Sequence, residues 1–155
     1  MADDPTLEHQ KQQVIDFFHQ FPFFKLIGMK TLDLKPGWSK LQITYRQDLC
    51  QPAGVMHGGI IATLIDSGIA NALLLTEVYQ EAKRQNGGIV SVDLRIKYFR
   101  PVSTGVITCE STIPRLGRQI IHGESIVTNE EGKEVARGDS IYMAVTGDQF
   151  TKRPS

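Results

Sequence analysis

The chain has 155 residues, 41% of them apolar, and its seventeen Lys and Arg balance seventeen Asp and Glu. That length is enough for one domain with its own core, and the absent basic excess argues against nucleic-acid or anionic-membrane partners. Cys50 and Cys109, taken with His9, His19, His57 and His122, show no paired ligand spacing, so neither a disulfide framework nor a metal site is expected.

Residues 7–21 set Val14, Ile15, Phe17, Phe18 and Phe21 among Glu8, Lys11, Gln12 and Asp16. This is the spacing of an amphipathic helix, stopped by Pro22. Phe23 to Leu34 and Trp38 to Tyr45 alternate apolar and polar residues around Lys35-Pro36-Gly37, which predicts two strands joined by a turn. A polar connection over 46–56 leads to residues 57–77, HGGIIATLIDSGIANALLLTE. Ile60, Ile61, Leu64, Ile65, Ile69, Leu73, Leu74 and Leu75 cover most of this helix, which predicts a buried central element. Thr63, Asp66, Ser67 and Asn71 interrupt the run, so it is not a membrane span.

After residue 88 the pattern changes to strands: Ile89–Phe99, Val106–Ile113, Gln119–Thr128 and Glu134–Val145. Leu116-Gly117-Arg118 and Asn129 to Gly132 serve as hairpin turns. The expected architecture is α+β, an antiparallel sheet around a long central helix. Residues 1–22 are read as a helical segment of the same domain, 23–146 as its body and 147–155 as a flexible tail. The opening MADDPTLEH is acidic where a secretory leader is basic and then apolar, so a cytoplasmic protein is expected.

Asp66 is the only charged side chain between Gly58 and Thr76. An unpaired carboxylate buried there would cost several kcal/mol, which packing alone seldom justifies. The same segment begins His57-Gly58-Gly59, where the N–H groups of a helix start form a donor site. Together they outline an acyl-transfer or hydrolytic site: a backbone donor for the carbonyl oxygen and a carboxylate for the carbon. The structural alternative for Asp66 is a polar group tied to Ser67, Thr63 or a neighbouring strand.

Gly54-x-x-His57-Gly58-Gly59, Asp66 nine residues after the histidine, Ser91-Val92-Asp93-Leu94 and Tyr98-Phe99-Arg100-Pro101 together resemble the hotdog-fold acyl-CoA thioesterases of the PaaI-like, phenylacetate-pathway branch. The resemblance covers residues 20–146. It implies that Gly58 polarises the thioester carbonyl and that Asp66 is nucleophile or general base. A polar residue six before the histidine and a serine on the next strand assist in that family, positions held here by Gln51 and Ser91. Asparagine is commoner at the Gln51 position, and the connection over 77–88 is longer than in minimal members. The substrate implied is an acyl-CoA with no cofactor, and the assembly implied is a homodimer, often a dimer of dimers.

Helix geometry points the same way. Gly58 and Asp66 lie about 12 Å apart along one helix at 1.5 Å per residue, too far for one carbonyl group to touch both. Each site would therefore pair Gly58 of one subunit with Asp66 of another. His57 reads equally as a donor near the thioester or as a helix cap. Gly59 allows close backbone approach of the coenzyme, and Ser91 either holds water or caps a pleat. Arg100, Arg115 and Arg118 are candidates for coenzyme A phosphates, which suit arginine's fork of donors. Two other functions compete: a hydratase or dehydratase, whose usual His-Phe-Pro stretch is absent, and a non-catalytic acyl-CoA-binding protein.

Overall fold

The computed structural model describes residues 5–151. Helix α1 (Pro5–Gln20) ends just before Pro22. Residues 1–4 of the expected helical segment and 152–155 of the expected tail lie outside the described residues.

The next element departs from expectation. Residues Pro22–Ile27 form a helix, α2, rather than the start of a strand. Pro22 occupies the first turn, where its fixed φ fits and its missing N–H costs nothing. Gly28 closes the helix at φ 70°, a left-handed cap that favours glycine. Phe24 and Ile27, three apart, are the buried pair, so the helical period won over the apparent alternation. Strand β1 (Met29–Lys35) then pairs with β2 (Trp38–Thr44).

The central helix α3 spans Gly58–Leu73 and is shorter than residues 57–77. Thr76 explains the break. Its hydroxyl donates to the Leu73 carbonyl at 2.6 Å and accepts from the N–H of Tyr79, so it closes α3 and caps a further helix, α4 (Glu77–Arg84). The connection over 77–88 is thus largely helical. Strands β3 (Gly88–Tyr98), β4 (Val106–Leu116), β5 (Ile120–Thr128) and β6 (Glu134–Val145) follow, and Gly147–Thr151 forms a short helix, α5, where a loose tail was expected.

All six strands form one antiparallel sheet in the order β1-β2-β4-β5-β6-β3, with α3 packed against it. This is the α+β hotdog arrangement. Leu64, Ile65, Ile69 and Leu73 of α3 are fully buried against Leu41, Ile43, Ile107, Ile121 and Val127 of the sheet. A smaller cluster of Ile15, Leu34, Leu74 and Leu75 joins α1 to β1 and the end of α3.

Glycine and small hydroxyls let the helix approach closely. A Cβ on Gly68 would collide with Ser111 and stand 3.2 Å from the Cys109 sulfur. Ser39 donates to the Gly68 carbonyl at 2.7 Å, and Ser111 and Ser125 share a 2.6 Å hydrogen bond. Each of these buried hydroxyls therefore has a partner, as low-dielectric surroundings require.

Burial pushes the Cys109 thiol from an ordinary value near 9 up to about 11, against the lowering effect of Ser111 and Ser125. The fold therefore favours the protonated thiol. Its stabilisation is complete below the unfolded thiol's pKa and is lost as pH rises through the folded one. Two pKa units correspond to about 3 kcal/mol. Thermal melting between about pH 8 and about pH 11 should show wild-type Tm falling more steeply than that of Cys109→Ala. Parallel curves would mean that the thiol does not set the alkaline limit.

Candidate active site

Two clusters hold most of the expected site residues, and they meet α3 at different points. The first surrounds its N-terminus. His57 is extended, at φ −62° and ψ 132°, and its Nδ1 accepts the N–H of Gly59 at 2.9 Å while its carbonyl accepts that of Ile60. Two of the helix's first three donors are thereby used. The remaining one, the Gly58 N–H, has no partner among the described residues. An accepting Nδ1 places the neutral ring's proton on Nε2. His57 is thus a cap that also presents a ring donor.

The neighbouring glycines have distinct structural reasons. A Cβ on Gly59 would come within 2.9 Å of His57 Nδ1, so only glycine leaves the cap undisturbed. A Cβ on Gly58 would stand 3.3–3.4 Å from the Tyr98 ring, whose hydroxyl donates to the Gly58 carbonyl at 2.9 Å. This contact fixes the end of β3 to the start of α3. The loop before the helix is held by Met56 N–H to the Val102 carbonyl and His57 N–H to the Leu49 carbonyl, both 2.8 Å.

Between these elements lies an open groove of about 530 Å³, lined by Gln51, His57, Gly58, Tyr98, Phe99 and Arg100 among others. Gln51 Oε1 accepts from the N–H of Ala53 at 3.3 Å, turning the amide onto its own loop. Arg100 donates to the Glu134 carbonyl from the groove's rim.

The second cluster centres on Asp66. Its side chain is half-buried rather than fully enclosed, and it is paired. The Tyr142 hydroxyl lies 2.6 Å from Asp66 Oδ1 and 2.9 Å from the Asp66 carbonyl oxygen. The burial cost inferred from sequence is therefore offset by a charge-assisted hydrogen bond. Ser91 sits directly opposite Tyr142 in the β3–β6 register and interacts with its phenol. Ser91 also lies 3.3 Å from the Ser140 hydroxyl, which donates to the Asp93 carbonyl. Burial first, then the Asp66 charge, drives the Tyr142 phenol far above the ordinary tyrosine value, so it remains a proton donor at neutral pH.

The structure thus gathers Gln51, His57, Gly58, Gly59 and Arg100 at one end of α3 and joins Asp66 to Ser91 through Tyr142 further along it. Arg115 and Arg118 join neither cluster. They flank a separate concavity with His122 at the β4–β5 hairpin. That hairpin lies near the Gly88 end of β3, because Ile120 and Val90 both pair with Met143. Arg100 follows the other end, and eleven strand residues span about 36 Å at 3.3 Å each.

Tyr142 was missed in the sequence. Its only signal there is a tyrosine on the inward face of β6, where a buried hydroxyl requires a partner. Tyr98 stood within a noted stretch, but its contact with Gly58 had no sequence signature.

The thioesterase superfamily profile matches residues 53–136. Human acyl-coenzyme A thioesterase 13 is 29% identical over 119 residues, covering 75% of this chain and 80% of that protein. Among solved structures, the phenylacetic acid degradation protein PaaI of Thermus thermophilus is 27% identical, with a TM-score of 0.68 over 81% of this chain and all of that one. The PaaI protein of E. coli superimposes with a TM-score of 0.76 over 91% of this chain and 97% of its own, at 18% identity, a likeness of fold.

The cap geometry makes a direct prediction. His57→Ala removes the acceptor for the Gly59 N–H and should destabilise the protein by about 1 kcal/mol, lowering Tm by about 3 °C. His57→Asn, which keeps a capping acceptor, should recover most of that loss. Equal melting of all three proteins would show that the imidazole is not needed as a cap.

Proposed function

The chain belongs to the thioesterase superfamily, and from that premise we propose that it hydrolyses acyl-CoA thioesters. Water adds across the thioester, the carbon–sulfur bond breaks, and a carboxylate, coenzyme A thiol and a proton leave. The observation that carries this reading is the unpartnered Gly58 N–H at the groove. A fixed backbone donor of this kind stabilises charge growing on a carbonyl oxygen without reorganising, an effect worth about 3–4 kcal/mol of barrier. His57 Nε2–H and the Gln51 amide are further donors beside it. Asp66 supplies the nucleophile or the base for water, with Ser91 assisting.

The active unit we propose is a homodimer, with dimers pairing further into a tetramer as an extension. Gly58 and Asp66 are separated by eight residues of one unbroken helix, about 12 Å. The half-buried stripe of Ala62, Thr63, Asp66, Ser67 and Ala70 on α3, and the edge strand β3 with Val92 and Leu94 exposed, offer a surface for a second copy. An antiparallel two-fold arrangement would bring Asp66 of one subunit toward Gly58 of the other. It would also bring the β4–β5 hairpin of one toward the Arg100 end of the other.

Coenzyme A phosphates are assigned to Arg100, Arg115 and Arg118, and Gly59 lies beside the donor site. Neither the chemistry nor the assembly calls for a membrane or a nucleic acid. Among the described residues no single helix is long and apolar enough to cross a membrane. The free thiols of Cys50 and Cys109 suit a reducing, cytoplasmic setting.

The mechanism is tested by thiol release from acyl-CoA. Asp66→Asn should keep the fold, since its amide oxygen still accepts from Tyr142, yet lose at least ~10²-fold in kcat. Gly58 provides a matched pair. Proline is tolerated at a helix's first position and replaces the N–H in question with a ring carbon, whereas Gly58→Ala adds the same first carbon and keeps the N–H. Gly58→Pro should therefore fall ~10²–10³-fold below Gly58→Ala. Co-expressed Asp66→Asn and Gly58→Pro chains should regain part of the activity, because mixed dimers contain one intact site. An active monomer, or full turnover in Asp66→Asn, would overturn this reading.

The arginine assignment predicts a different signature. Arg100→Ala or Arg118→Ala should raise KM for acyl-CoA with kcat little changed, as expected for binding equal in ground and transition states. An acyl-pantetheine substrate lacks the terminal phosphates and should not distinguish the variants from wild type. Equal losses on both substrates would mark the arginines as structural.

A further inference from the structure

We propose that Tyr142 is the positioning residue for Asp66, pinning one carboxylate oxygen so that the other is presented to the thioester carbon or the attacking water. The inference rests on the thioesterase reading of Asp66 and extends it. Asp66 can rotate about its own side-chain bonds, and its oxygens are equivalent until something distinguishes them. The Tyr142 hydroxyl does so, lying 2.6 Å from Oδ1 and 2.9 Å from the carbonyl oxygen of the same residue. The hydroxyl's single proton is directed at the nearer Oδ1, with the carbonyl oxygen of the same residue beside it, and Oδ2 is left as the working oxygen.

The support behind this donor is rigid. Tyr142 is 3% exposed, inside the core cluster, on a strand paired on both sides. Its ring cannot swing away without opening the core. Ser91 stands across the β3–β6 ladder from it and interacts with the phenol. The Ser91 and Asp66 side chains are therefore placed relative to each other through Tyr142. At neutral pH the phenol is protonated, as any tyrosine is, and burial together with the Asp66 charge pushes its pKa higher still, so it donates to the carboxylate.

Tyr142→Phe removes only the hydroxyl and keeps the ring. Loss of orientation at a reacting group costs up to about 10²-fold. The variant should show kcat lowered by about ten- to a hundredfold, with KM within about twofold of wild type. The decisive measurement is the double variant. In the Asp66→Asn background, Tyr142→Phe should reduce residual kcat no further, because its effect passes through the carboxylate. A structural role would lower both backgrounds alike and overturn the assignment, as would unchanged kcat in Tyr142→Phe alone. If Asp66→Asn itself turns over like wild type, the thioesterase mechanism fails instead, so the two failures are distinguishable. Should the phenylalanine variant not fold, 4-fluorophenylalanine at this position fills the hydroxyl's space without a donor. A kcat lowered by about ten- to a hundredfold would then support the assignment, and an unchanged one would overturn it.

Discussion

The structure depends on how closely one helix lies on one sheet. The contact holds because side chains are missing or small where the surfaces meet. Gly68 faces Ser111 and Cys109, Gly123 faces Ile69, and Gly138 faces Ile65. Larger residues at these points would lift α3 away from the strands. The hydroxyls of Ser39, Ser111 and Ser125 fill the remaining space and satisfy one another or the Gly68 carbonyl. Such an interface is specific rather than merely apolar, because each polar atom inside it accepts only a narrow geometry.

That spacing sets the surroundings of Asp66 further along the helix. Tyr142 can reach Asp66 from β6 only because Ile65 and Ile69, on either side of it, are seated against the sheet. At the helix start the same rigidity is applied by different means. The His57 ring and carbonyl consume the N–H groups of Gly59 and Ile60, and Tyr98 holds the Gly58 carbonyl. The Gly58 N–H is left as a donor without competition. A free donor at a helix terminus is ordinary. Here its neighbours are occupied, and it borders a groove.

Within one chain the Gly58 N–H and Asp66 stay apart, and the unbroken helix between them makes that separation permanent. The stripe of α3 that the chain leaves half-covered includes Asp66 itself. The edge strand β3 carries Ser91 among exposed neighbours. The proposed second subunit would thus cover the surfaces that one chain leaves open and supply the group that one chain's groove lacks. Arg115 and Arg118 follow the same logic, lying at the opposite end of the sheet from Arg100.

Much of this was legible from residues alone. Periodicity identified the central helix and the last four strands, because burial on one face imposes a repeat that local sequence must carry. The HGG motif and the isolated Asp66 were visible because glycine and charge are conspicuous in an apolar run. Pro22–Ile27 was misread because Phe23, Phe24, Leu26 and Ile27 in so short a segment fit either period, and the deciding elements were a proline at one end and a left-handed glycine at the other. The break at Thr76 was hidden by three preceding leucines. The choice of Tyr142 as partner for Asp66 was decided only by tertiary structure, whereas the His57 cap is a contact between residues two apart that the sequence already offered as one of two readings. A hydrogen bond between residues 76 positions apart depends on strand order and helix height. Local sequence sets which groups can donate and accept, while packing alone sets which of them meet.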